Sequence, residues 1–410
     1  MRRLLIVVLT IVLIVCCVFL INEYDKLWYD APADTQSTTS PADSQKPEEI
    51  PESVSSEITL PDFSSLFCYS QLTDAQKVIY NRMVTEALAM TEGNFGIGEC
   101  EVSDMVKAFS AVRSDLPELF WLSGEYSYSR SMFGVSVSFQ SEGKTSYLCT
   151  KEERDEMQKA LRFTCDNILK GIPKDATEYE KELYIYDYVC ANTKYDTEGD
   201  YSLSSYGALV EKRAVCEGYS RAVQLLLREC GIDSTLVAGT ALDTGHMWNL
   251  VKIENMWYHL DATWGDAQKD GTVAHGFFNI NDEKISATHG FDPSFEDLTT
   301  EQLKNGEAFN FSLPKCDSLK EFYPQKEKCY LDDDIEASAE TIKKVLREAA
   351  DEHKSTAEFY IDSDEIDIVT KYGLNHCISE VNKKSTAKFR IPSVTYVGNS
   401  AVLSIKYEGE

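Results

Sequence analysis

Three residues of the kinds that do acyl chemistry fall within one short stretch of this chain. Cys216 stands in Arg-Ala-Val-Cys-Glu-Gly-Tyr-Ser, His246 in Gly-His-Met-Trp-Asn-Leu-Val, and Asp261 in Trp-Tyr-His-Leu-Asp-Ala-Thr-Trp-Gly-Asp. A thiol can attack a carbonyl carbon. An imidazole can take its proton and later return it to the leaving group. A carboxylate can fix the imidazole's tautomer and steady its cation.

That chemistry requires elements that bring the three together. Cys216 opens a segment whose apolar residues (Tyr219, Ala222, Val223, Leu225, Leu226, Leu227) surround most of a helix, as in a buried central helix, and Gly231 is its natural stop. The free N–H groups and dipole at such a helix start favour an anionic sulfur and can receive a developing oxyanion. Leu236–Ala238, His246–Ile253 and Met256–Thr263 read as strands, with Glu254-Asn255 as a two-residue hairpin turn. In that register Ile253 faces Met256, Asp261 lies opposite Trp248, and His246 and Asp261 are diagonal neighbours on one face, ~7–8 Å apart. A turn one residue longer would put them on opposite faces. His259 shares the face but lies opposite Leu250, and it reads as structural. Trp248, Trp257 and Trp264 read as core or cleft wall, and Asp266 as a partner of the loop after Asp261.

Cys-Glu-Gly-Tyr, Gly-His-Met-Trp-Asn and Trp-Tyr-His-Leu-Asp-Ala-Thr-Trp together resemble the transglutaminase-like superfamily, in particular its bacterial branch. The likeness is specific over about 177–290, where Tyr195-Asp196, Ser205-Tyr206-Gly207-Ala208-Leu209 and Gly276-Phe277-Phe278-Asn279-Ile280 with Asp282-Glu283 and His289 also fit. It is weak over 63–176, which includes Pro-Glu-Leu-Phe-Trp, and absent from 315–410. The resemblance implies an α+β, papain-like core in which the nucleophile helix packs on an antiparallel sheet. It implies Cys216 as nucleophile, His246 as base and Asp261 as third member. Tyr206, Glu217 and Trp248 are the candidates for an oxyanion partner or cleft wall. The implied activity is thiol acyl transfer on peptide or side-chain amides through a thioester. Hydrolysis is favoured, since nothing specifies an acceptor-lysine site. A crosslinking transferase and a non-catalytic surface scaffold are the alternatives.

The rest of the chain bounds the setting. A formal net charge of −28 argues against nucleic acid as partner and leaves a protein or peptide substrate, with cell-wall and surface polypeptides, host proteins and self-processing all open. Arg2 and Arg3 precede an apolar run from Leu4 to Ile21, near the ~20 residues that cross a bilayer, and the run is long for a cleaved signal. The expected layout is therefore a membrane anchor (1–22, N-terminus cytoplasmic), a disordered Ser/Thr/Pro/Glu-rich stalk (23–61), an α+β lead-in (62–150), the catalytic domain (151–314) and a small α+β C-terminal domain (315–410). The folded part would be extracellular, with secretion after signal cleavage as the alternative. Of the 12 cysteines, Cys316 and Cys329 bracket a short loop and are the disulfide pair to test first. No cofactor is called for. Cysteine and histidine spacings do not suggest a metal, and Asp196, Glu198 and Asp200 lack the rest of a calcium loop.

Overall fold

The computed structural model describes residues 50–141, 144–242, 244–266, 272–291, 311–361 and 368–409, and 50–410 form one compact unit. The expected anchor and most of the stalk lie outside the described residues. No helix among the described residues is long and apolar enough to cross a membrane.

The lead-in starts with α1 (Asp74–Ala89), whose start is set by a capping box: the Thr73 hydroxyl accepts from Gln76 N, and the Gln76 side chain accepts from Thr73 N. After β1 (Asn94–Gly98) and α2 (Val102–Asp115), the alternating valines form the hairpin of β2 (Ser127–Ser131) and β3 (Gly134–Ser138), giving a sheet ordered β1-β3-β2. The Leu116–Trp121 motif is the joint to the region that carries Cys216. Trp121 is fully buried and donates to Ala87 O (3.2 Å). Pro117 O accepts from Ser205 Oγ (2.8 Å), and Arg228 Nη1 donates to both carboxylate oxygens of Glu118 (2.5 and 2.8 Å).

Two capping boxes, Thr150/Glu153 and Thr177/Glu180, start α3 (Lys151–Leu169) and α4 (Glu178–Asn192). The short parallel pair β4 (Lys194–Tyr195) and β5 (Arg213–Ala214) delivers the chain to α5 (Cys216–Glu229). Leu226 and Leu227 of α5 are fully buried, each contributing ~1.5–3 kcal/mol, and Gly231 (φ 73°) ends the helix. The helix packs on an antiparallel sheet ordered β8-β7-β6-β9, made of β6 (Ser234–Ala241), β7 (Thr244–Ile253), β8 (Met256–Leu260) and β9 (His289–Gly290). Glu254 and Asn255 both have positive φ (47° and 66°), as a type I′ turn requires, and Met256 pairs with Ile253 in the expected register. The strand ends earlier than expected. Asp261 accepts hydrogen bonds from Thr263 N and Trp264 N through Oδ1, closing the helical turn α6 (Ala262–Gly265) and taking Thr263 out of the sheet. The chain is α+β.

The C-terminal part has its own core. β10 (Tyr330–Leu331), β11 (Thr356–Ile361), β12 (Phe389–Val397) and β13 (Ser400–Tyr407) form a sheet ordered β10-β11-β13-β12. Helices α7 (Ile335–Asp351) and α8 (Leu374–Lys384) complete this core around Leu331, Ile342, Leu346, Phe359 and Val381. Asp334 caps α7, as its place in the acidic run before the helix suggests. A second cluster, including Phe277, Ile280, Phe322, Tyr360 and Val397, joins this part to the catalytic region. Across the same joint His275 is held between Asp187 Oδ1 (2.7 Å) and Glu358 Oε2 (2.5 Å) and stacks on Tyr323. Burial alone would depress its pKa. The charge of Glu358 and the hydrogen bonds to Asp187 and Glu358 overcome that and push it up to about 10. Cys316 and Cys329 are not bonded to each other. Cys316 packs beside Val237 and Trp248, and Cys329 lies in the C-terminal core, so the two thiols belong to different clusters.

Candidate active site

Cys216 is half-buried at the first position of α5. The helix start is tied to the strand carrying the imidazole. Ser220 Oγ lies between Cys216 O (2.9 Å) and Met247 O (3.0 Å), and Asn249 donates to Ser220 O (3.0 Å). Met247 directly follows His246, so these bonds set the start of α5 beside that imidazole, with the Cys216 thiol near enough to raise its pKa. On the other side of the ring, His246 Nε2 donates to Asp261 Oδ2 (2.7 Å). The donor at Nε2 leaves Nδ1 as the nitrogen available to the thiol.

Electrostatics follow from burial and neighbours. Burial of His246 opposes its cation, but the hydrogen bonds to Asp261 and Cys216 outweigh it and raise its pKa to about 9. Asp261 is fully buried, which by itself would raise its pKa. The hydrogen bonds from His246 and His289 instead hold it at about 2. Asp261 is thus an anion with every oxygen engaged: Oδ1 by two backbone N–H groups, Oδ2 by His246 and by His289 Nε2 (3.0 Å).

A second layer supports the His246 ring. Trp248, fully buried, stacks on His246 (centroids 6.0 Å apart) and donates its indole N–H to His259 Nδ1 (2.9 Å). That donation assigns the proton of neutral His259 to Nε2, which faces Asp282 Oδ1 (2.9 Å), and burial lowers the pKa of His259 below its ordinary value. Asp282 Oδ2 in turn accepts from Cys316 N (3.1 Å). His259, Asp282 and Cys316 come close enough to be considered as metal ligands, but the Nε2 lone pair that a metal would need is occupied by the proton. His246, Asp261 and His289 also converge, with both Nε2 atoms aimed at one carboxylate oxygen.

The remaining candidates occupy other places. Glu217 points into the protein, where Oε1 meets Arg113 Nη2 (2.6 Å) and Arg221 Nε (2.9 Å). Its burial is outweighed by the two guanidinium groups, which hold its pKa below the ordinary glutamate value. The residue therefore locks α2 to the first turn of α5. Tyr206 stacks on Phe120 and meets Tyr201 edge-on. Burial first, and then Glu211 and Cys149, raise its pKa above the ordinary tyrosine value. Asp266 bonds the loop after Asp261 through its backbone N–H, which donates to Ala262 O (3.2 Å), while its carboxylate accepts from the Tyr219 hydroxyl of α5 (2.5 Å), and burial raises its pKa to about 6. Asp196 of the acidic loop pairs with Arg213 (2.5 Å). Sequence reasoning missed the bonds of Ser220 and the contact of His289 with Asp261. Ser220 carried a weak signal in its position, one turn after Cys216 on the same helix face.

A cysteine at the start of a helix, packed on an antiparallel sheet that carries an imidazole and leads to a carboxylate, is the arrangement expected of a papain-like core. The segment 166–262 matches the family model described as Transglutaminase-like superfamily. It contains Cys216, His246 and Asp261. The kyphoscoliosis peptidase of Mus musculus is 24% identical over 153 residues, 33% of this chain and 23% of that protein. The Homo sapiens kyphoscoliosis peptidase is 25% identical over 142 residues, 30% of this chain and 21% of that protein. The chain thus spans less than a quarter of the length of these relatives. A solved structure of a TGase, 15% identical, aligns over 40% of this chain and 48% of its own with a TM-score of 0.25.

Proposed function

We propose that this protein is a cysteine-dependent acyl-transfer enzyme acting on peptide or side-chain amides, with water as the usual acceptor. The line from the Cys216 thiol through His246 to the buried Asp261 carries this reading. Sγ bonds to the amide carbonyl carbon with its proton already held on His246 Nδ1, and the C=O electron pair moves onto the oxygen. The C–N bond then breaks, the amine departs with the proton from His246, and a thioester remains. Water attacks the thioester, His246 takes a proton from the water, and the acid leaves as the thiol is restored. The first-turn N–H groups of α5 are the donors for the oxyanion. The matched relatives named as peptidases favour hydrolysis over amine transfer. The apolar run 4–21 and acidic stalk favour a membrane-anchored, extracellular setting, testable by fractionation and protease accessibility on intact cells.

The test uses the full chain and an iodoacetamide-type probe. Wild type is expected to label at Cys216, and Cys216→Ala to lose that label. A folded wild type that does not react at Cys216 would overturn the enzyme reading. Release of amine from amide substrates, compared with incorporation of a labelled primary amine, then separates hydrolysis from transfer.

A further inference from the structure

His289 is a buried imidazole that the reaction steps above do not use. It enters from β9, the edge strand beside β6, where His289 pairs with Ala241 and Gly290 with Thr240. Its side chain has no solvent exposure. Four aromatic rings surround it: Trp264 (4.7 Å), Trp248 (5.0 Å), Phe277 (5.3 Å) and His246 (5.4 Å). A ring enclosed in this way has little rotational freedom, and both its nitrogens are committed. Nδ1 lies 2.8 Å from Thr288 Oγ1, and Nε2 lies 3.0 Å from Asp261 Oδ2. The second contact is the informative one. Oδ2 is the same oxygen that receives His246 Nε2 at 2.7 Å, while Oδ1 is occupied by Thr263 N and Trp264 N.

Proton positions follow from donor counting. The Asp261 carboxylate only accepts, so the imidazole facing it must carry its proton on Nε2. A neutral His289 then presents a lone pair at Nδ1, and the Thr288 hydroxyl is placed to donate to it. Thr288 fixes the tautomer of His289, and His289 fixes one lone pair of Asp261.

We propose that His289 is a positioning residue of this site, a second and permanent hydrogen-bond donor on Asp261 Oδ2 that shares the carboxylate with His246. The inference rests on the reading of His246 as the base. Sharing has two effects. It pins the carboxylate so that His246 meets one lone pair in one orientation. It also draws part of the carboxylate's charge away from His246. A base bound too tightly to its carboxylate would keep the proton that the leaving amine needs, and a second donor moderates that hold.

Three variants test this in the full chain, with the titration of His246 followed by NMR of 15N-labelled histidine. The charged and titratable groups at His246 are Asp261 from the α6 turn, Cys216 from α5 and His289 from β9. His289→Leu removes the donor while filling the space, and His246 is expected to titrate higher by about half a unit to one unit. His289→Gln returns an N–H near the place of Nε2 and is expected to restore most of the wild-type value. Thr288→Val keeps the imidazole but removes its tautomer lock, giving a smaller shift in the same direction, and this variant serves if His289→Leu does not fold. A role in packing alone would lower thermal stability without moving the His246 titration. An unmoved or lowered His246 titration in folded His289→Leu, or a Gln variant no closer to wild type than the Leu variant, overturns the proposal. The titration requires no turnover. It can therefore fail while Cys216 labelling succeeds, or succeed in a protein that proves not to be an enzyme.

Discussion

Asp261→Asn removes one charge from the centre of the site while nearly preserving its shape. In the native site burial opposes the His246 cation, yet the Asp261 and Cys216 hydrogen bonds carry its pKa from 6.5 to about 9. That rise corresponds to roughly 3 kcal/mol in favour of the cation. Since it is net of burial, the raising interactions together exceed it, and the hydrogen bond to Asp261 is the largest of them. In the variant the amide oxygen can still accept from Thr263 N and Trp264 N, as Oδ1 does now at 2.9 and 3.2 Å, so the turn stays capped. The amide NH2 then faces His246 Nε2. Donor meets donor, and the imidazole is relieved by moving its proton to Nδ1, the nitrogen that must accept from the thiol. Two outcomes are expected. His246 should titrate well below 9, because the largest interaction that opposes burial is lost. Amide cleavage at pH 7 should fall ~10²-fold or more, the scale of lost general acid–base catalysis. The chain has 6 histidines, so 15N-histidine NMR across pH 4–10 can follow each ring, with assignments from single His→Gln variants. A His246 that still titrates within one unit of 9 in folded Asp261→Asn would refute the electrostatic reasoning, whatever happens to the rate.

Other expectations follow from the same contacts. The folded-state pKa of His275 is raised from 6.5 to about 10, so its contribution to stability is fully present below pH 6.5 and lost as pH rises through about 10. His275→Gln should therefore lower the thermal unfolding temperature by an amount equivalent to ~3–5 kcal/mol below pH 6.5, the scale of a broken buried ion pair, with the gap to wild type closing toward pH 10. A gap independent of pH would show that stacking on Tyr323, and not charge, holds the joint. At Gly239 an added Cβ would sit 2.3 Å from Gly290 O and 2.8 Å from the Trp248 ring. Gly239→Val should separate β9 from β6 and cost ~1–3 kcal/mol in denaturant unfolding, while an unchanged midpoint would mean that β9 is free to shift.

Much of this site was legible because it depends on local rules. The type I′ turn at Glu254-Asn255 sets the β7/β8 register, and that register places His246 and Asp261 on one face. Thr73 with Gln76 three residues on marks the start of α1 within a few residues of chain. The end of β8 was not legible. Whether Asp261 continues a strand or caps a turn depends on its side chain finding Thr263 N and Trp264 N once His246 and His289 have claimed its other oxygen. Glu217 offered no sequence signal separating a cleft wall from a buried partner of Arg113, which lies 104 residues earlier. Cys316 and Cys329 were close in sequence, and proximity along the chain said nothing about which core each would enter.

The sequence by itself determined the order of the elements, the helix that begins at Cys216, and the register that pairs the base with its carboxylate. These follow from hydrophobic period, capping and turn length, each acting over a few residues. Only the tertiary structure decided that Asp261 serves two imidazoles, that Trp248 and His259 form the support beneath His246, and that His275 joins the catalytic core to the C-terminal sheet. Those contacts bring together residues from distant parts of the chain, and which buried polar groups meet is settled only when competing donors and acceptors are enclosed together and each must find a partner.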